Sequence, residues 1–105
     1  EDVGDELSRL DRMLWQLNQL CPFTHLEGLI FGDFVNMTDT GRPLGLDLDA
    51  IIQKHTEGLL IPILVNAPIG HGTRFMPIHL GRTATLIAPL GNTLDAHTSP
   101  RLILE

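Results

Sequence analysis

Of the five histidines in this 105-residue chain, His71 is set apart by its neighbours. It stands in Ala67-Pro-Ile-Gly-His-Gly-Thr-Arg74, between two glycines and directly after an apolar run, so its imidazole has little local cover. The ends of strands in α/β folds are where functional groups gather. Two readings stand on the residues alone: a plain Gly-His-Gly turn, or an imidazole available for proton transfer near neutral pH. Zinc would need three or four converging ligands, and no Cys or carboxylate cluster lies close to His71 or His79, so a metal is not expected. His55 falls near the end of a predicted helix, where attraction to the helix dipole accounts for it. His25 and His97 lie in polar loop sequence, and His79 reads as a packed or edge-facing strand residue. Glu1 and Asp2 are paired carboxylates that read, without context, as a solvated terminus. Asp33, after Gly32, either accepts a hydrogen bond from a ligand or caps the following loop. A nucleophile is missing: Ser8 is on a predicted helix, Ser99 abuts Pro100, and Cys21 precedes Pro22, none within a strand-turn-helix elbow.

The elements that must position these groups follow from periodicity. Leu7, Leu10, Met13, Leu14, Leu17 and Leu20 recur at three- and four-residue steps opposite Arg9, Asp11, Arg12, Gln16 and Gln19, which predicts an amphipathic helix over residues 6–20. Asp5 is its expected cap and Cys21-Pro22 its stop. Trp15 falls off the main stripe and is expected to face a neighbouring element or a partner. Residues 28–34 read as one buried strand, with Gly32 marking a bulge or a close approach. Residues 36–45 form a loop, Asp47 caps a second helix carrying Leu48, Ile51, Ile52 and His55 on one face, and Gly58 ends it. Residues 59–65 are apolar throughout, as in a strand covered on both faces. Residues 75–80 and 83–88 read as a hairpin around Gly81-Arg82, and 101–104 as a last strand. The expectation is a single α/β domain over residues 1–105, with one mixed sheet, about two helices and five short strands.

Composition bounds the function classes. A hydrophobic fraction of 43% fills one core, and a single cysteine, Cys21, excludes an internal disulfide framework. Thirteen acidic against seven basic residues give a net charge of −6, which argues against nucleic acid or an anionic membrane as partner. The longest apolar run is interrupted by Pro62, Asn66 and Pro68 and is too short to span a bilayer. No leader is visible, and a cytoplasmic location is expected. The chain opens Glu-Asp-Val-Gly without an initiator Met, so it is expected to continue a longer product.

Four segments in order resemble one family. Glu1-Asp-Val-Gly-Asp with Leu10-Asp-Arg-Met-Leu-Trp-Gln-Leu17, then Gly28-Leu-Ile-Phe-Gly-Asp-Phe34, Ile61-Pro-Ile-Leu-Val-Asn-Ala-Pro-Ile-Gly-His71 and Ile78-His-Leu-Gly-Arg-Thr-Ala-Thr-Leu86 are similar to stretches of the LD-carboxypeptidases. That serine peptidase family includes muramoyltetrapeptide carboxypeptidases and microcin C immunity peptidases. The resemblance is to the smaller, swivelling β/β/α C-terminal domain, and covers nearly the whole chain. It implies a Ser-Glu-His triad divided between two domains, with the glutamate at Glu1, the histidine at His71 and the serine on an N-terminal domain outside these residues. It implies as substrate a peptidoglycan tetrapeptide that loses a terminal D-alanine at an L,D bond, with no metal or organic cofactor. The sequence departs from the family pattern at His79, where a proline is usual, and ahead of Leu10-Asp-Arg, where an aromatic residue is usual.

Implied partners are the N-terminal domain of the same protein and a muropeptide, and the face left for that domain would favour self-association, a homodimer being one form. The isolated chain is expected to be inactive. Two alternatives share the fold: a noncatalytic interaction domain, in which Trp15 and Phe34 would form an apolar patch, and a family member hydrolysing peptidyl or acyl adenylates such as microcin C.

Overall fold

A computed structural model describes residues 1–90 and 99–105. His97 lies outside the described residues. The first helix, α1, spans Leu7–Leu20 and buries Leu10 and Leu14, one turn apart, as the spacing requires. Its start corrects one expectation. Glu6, not Asp5, is the N-cap, and no side chain caps the helix. The reason is tertiary: the Leu7 N–H donates to the Thr38 carbonyl at 2.9 Å while the Thr38 N–H donates to the Asp5 carbonyl at 3.0 Å. A main-chain partner from a distant segment therefore satisfies the donor that a cap would have met. Asp5 instead accepts from the Glu6 N–H at 2.8 Å and from Arg9 at 3.4 Å. At the other end the chain passes Pro22 into a short 3₁₀ turn, Phe23–His25, which seats Phe23 in the core.

The second helix, α2, spans Leu48–Thr56 and is capped as the sequence predicts, with the Asp47 carboxylate accepting from the Ala50 N–H at 2.8 Å. Gly58, at φ 76°, turns the chain out of it. Ile51 and Ile52 face α1, and with Leu10, Leu14, Phe23, Phe31, Leu59 and Ile63 they form the core.

The extended segments are shorter than predicted and do not join one mixed sheet. Among the described residues they form three two-stranded ladders. β1 (Asp2–Val3) pairs in parallel with β3 (Phe34–Val35), β2 (Leu29–Ile30) in parallel with β4 (Ile63–Leu64), and β5 (Ala84–Ile87) antiparallel with β6 (Arg101–Leu104). Residues 28–34 are thus not one strand but two, facing different partners. The switch occurs at Phe31–Asp33, where the main chain bonds to the loop after β4 instead: Ala67 N–H to Phe31 O at 3.1 Å and Asp33 N–H to Ile69 O at 2.7 Å. The run 59–65 is not covered on both faces throughout: Leu59 and Ile63 are buried while Leu60 and Val65 are exposed. The expected hairpin of 75–80 with 83–88 is absent. β5 takes β6 as its partner, and Phe75, Met76 and Leu80 are solvent-exposed. The fold is a small mixed α/β domain with two helices and several short strands. Among the described residues, no helix is long and apolar enough to cross a membrane.

Candidate active site

Glu1 begins the segment that becomes β1. The parallel ladder fixes it, with the Asp2 N–H donating to Asp33 O at 3.2 Å and the Gly4 N–H to Val35 O at 2.8 Å. A residue that composition reads as a loose terminus is therefore set beside the middle of the chain. His71 arrives from the opposite side. After β4 the chain turns at Asn66, in the left-handed region at φ 55°, and the Ile69 N–H folds back onto Ala67 O at 2.7 Å. The Met76 N–H to Pro68 O bond, 2.8 Å, closes the neck of the loop that carries the histidine.

Two glycines let these arms meet. A Cβ on Gly32 would collide with the Ile69 carbonyl and sit 3.1 Å from the Glu1 Cβ. Gly70 has φ 117°, which L side chains rarely adopt, and a Cβ there would lie 2.6 Å from Glu1 Oε2 and 2.9 Å from its Cβ. The close approach anticipated at Gly32 is the contact between the two arms.

The result is a carboxylate–imidazole pair spanning seventy positions of sequence: His71 Nδ1 lies 3.0 Å from Glu1 Oε2. A carboxylate can only accept, so this bond requires the proton on Nδ1 and leaves Nε2 as the basic nitrogen of the neutral ring. The His71 side chain is 60% exposed and that of Glu1 36%, so the ring is open to a group from outside the chain. The His71 hydrogen bond is the main cause that holds the Glu1 carboxyl below its ordinary range. Desolvation opposes it, and the charge of His71 reinforces it. Such a pair can orient an imidazole, accept a proton at Nε2 and stabilise the imidazolium that forms.

The other candidates separate from this site. His55 Nε2 is 2.7 Å from Asp11 Oδ1, packed between the helices. His25 lies in the 3₁₀ turn, and His79 is exposed on the segment before β5. Ser8 lies within α1, and Cys21 is an exposed free thiol that ends it. Among the described residues, no cluster of three or more His, Cys, Asp or Glu side chains could hold a metal ion. Trp15 is exposed, whereas Phe34 is half-buried and packs against the core. Sequence reasoning missed the pairing that fixes Glu1 and the place of Asp33 between the two arms; the only local signal was the glycine spacing at 32, 70 and 72.

The sequence pattern of the family described as the LD-carboxypeptidase C-terminal domain matches residues 1–86. A murein tetrapeptide carboxypeptidase of Pseudomonas aeruginosa is 32% identical over 87 residues, which are 82% of this chain and 27% of that protein. A probable murein peptide carboxypeptidase of Bacillus subtilis is 28% identical over 86 residues, again 82% of this chain and 27% of the relative. The chain spans about a quarter of the length of these curated relatives. No solved structure gives a significant match. With four-fifths of its length in register with one family pattern, the chain belongs to the LD-carboxypeptidase C-terminal domain family.

Proposed function

We propose that this domain supplies the glutamate and histidine of a Ser-Glu-His relay in a carboxypeptidase that trims murein peptides. The single observation that supports the reading is the 3.0 Å contact between His71 Nδ1 and Glu1 Oε2, made by residues seventy positions apart. In this scheme a serine from a domain outside these residues gives its hydroxyl proton to His71 Nε2 as its oxygen attacks the peptide carbonyl. Glu1 keeps the Nδ1–H tautomer and stabilises the imidazolium. His71 then returns the proton to the leaving amine, that of a terminal D-alanine, and a water deacylates the serine by the same proton path. The relatives' names state murein tetrapeptide and murein peptide, and a short peptide from the cell wall is the substrate class proposed here.

The chain's own residues contribute base and orientation, with the nucleophile coming from elsewhere. The isolated 105 residues are therefore expected to release no D-alanine from a murein tetrapeptide, and the same chain in one protein with the serine-bearing domain is expected to release it. Turnover by the isolated chain, or unchanged turnover of the two-domain protein after His71→Ala, overturns the reading.

A further inference from the structure

Asp33 lies between the two arms of the site and touches both. Its carbonyl accepts from the Asp2 N–H at 3.2 Å, next to Glu1, and its N–H donates to Ile69 O at 2.7 Å, two residues before His71. Its side chain continues past the histidine. A Cβ on Gly72 would collide with the Asp33 carboxylate, meeting Cγ at 2.5 Å and Oδ1 at 2.9 Å, so the carboxyl group is packed against the Gly72 backbone. The Oδ2 atom is buried there and has no hydrogen-bond partner. A buried carboxylate oxygen without a donor has lost water and gained nothing in return, and such atoms call for a specific explanation. Glycine at 70 is explained by its backbone angle and by Glu1, and glycine at 72 by Asp33 alone.

We infer that Asp33 is a positioning residue for His71: its main chain ties the two arms, and its carboxyl group, packed against Gly72, props the 70–73 turn that carries the imidazole. The inference rests on the reading of Glu1 and His71 as a working pair. A ligand is the poorer candidate for this acceptor, because the oxygen is enclosed beneath the turn while the turn's own backbone is already in contact with the carboxyl group. Without such an anchor, a histidine between two glycines is held by the Pro68–Met76 neck and by Glu1. With it, one carboxylate orients the ring and a second fixes the backbone that bears it, the outer support that makes a catalytic geometry reproducible.

The test reads the His71 tautomer by nitrogen NMR on the 105-residue chain labelled at histidine. In the neutral ring, the wild type is expected to carry its proton on Nδ1. Glu1→Ala is the control for the pair itself: if it leaves the tautomer unchanged, the Glu1–His71 reading fails whatever Asp33 does. With that control met, Asp33→Ala is expected to lose the Nδ1–H preference, and Asp33→Asn, whose amide group has the same shape and fills the same space under the turn, to keep it. Gly72→Ala, which displaces the turn and leaves the carboxylate in place, is expected to lose it as well. Asp33→Ala with a wild-type His71 signature and undisturbed Ile51 and Thr56 amide signals overturns the inference, as does Asp33→Asn behaving like Asp33→Ala. Should Asp33→Ala fail to fold, Gly72→Ala decides, and a retained wild-type tautomer there overturns it.

Discussion

Among the described residues, two carboxylate–imidazole pairs sit in different halves of this molecule. In the helical half, Asp11 on α1 holds His55 on α2 at 2.7 Å, with Lys54 joining at 3.0 and 3.1 Å. In the half built from short strands, Glu1 holds His71 at 3.0 Å. The chemical groups are alike and the surroundings opposite: the His55 and Asp11 side chains are 8% and 18% exposed, those of His71 and Glu1 60% and 36%. Burial pushes the Asp11 carboxyl up, but the hydrogen bonds from Lys54 and His55 outweigh it and hold the group below its ordinary range. Glu1 is also held low, chiefly by His71. Proximity of a carboxylate to an imidazole is therefore no mark of catalysis. A ring enclosed between two helices is a fastening, and a ring on a glycine-flanked turn with most of its surface open can take a proton from something else.

Substitutions should separate the two pairs by what each one damages. The largest effect is expected from His71→Ala in a protein that also carries the serine-bearing domain: D-alanine release should fall on the order of 10⁴-fold or more. Asp11→Ala in the same assay should leave turnover within about 3-fold, an expectation that rests on its distance in the fold from any proposed chemistry. Comparable losses from both would erase the distinction. In Gly32→Ala the added carbon meets the Ile69 carbonyl; forced displacement of packed backbone should cost about 1–3 kcal/mol in denaturant unfolding, and turnover with it.

Asp11→Ala should cost about 1–3 kcal/mol of stability, because His55 is left buried without its acceptor. Glu1→Ala should leave the unfolding midpoint unchanged while lowering turnover by about 10³–10⁴-fold, the loss typical of removing a triad carboxylate. The smallest effect is one of pH. Asp11 is held below its ordinary value of 3.8 in the folded chain, so the stability it contributes is complete above that value and fades as pH falls through the lower folded one. Wild type and Asp11→Asn should therefore differ in unfolding free energy at neutral pH and converge as pH drops beneath 3.8. A difference that persists in strong acid would mean that the Asp11 charge is not what ties the helices.

The helices and their inward faces were legible from local pattern, since Leu10, Leu14, Ile51 and Ile52 are buried where their spacing puts them, and Asp47 caps where a cap was expected. The start of α1 was not, because Thr38, thirty-one positions after Leu7, takes the place of a side-chain cap. Strand partners were legible least. Residues 28–34 have the composition of one strand, but whether a run continues beside its partner depends on what crosses it, and the loop at 66–70 crosses this one at Gly32. Likewise Phe75, Met76, Ile78 and Leu80 carry enough apolar character for a hairpin, yet β5 pairs with β6; local propensity cannot choose between two available partners. At the site, Gly-His-Gly announced His71, whereas Glu1 stood out only through the family resemblance. Its anchoring depends on a two-residue ladder too short to leave a periodic trace.

The main-chain bonds of Asp33 have a consequence for how the chain can be remodelled. Its N–H and C=O point to opposite flanks, so the arms bearing residues 1 and 71 are coupled through a single amino acid and not through the thirty-odd residues that separate either arm from it. An exposed bend within the intervening stretches can therefore change length without moving either arm. The exposed bend at 39–45, closed on itself by the Asp39 carboxylate accepting from Thr40 and Leu44, is a place where extra residues could be inserted while the dyad keeps its spacing.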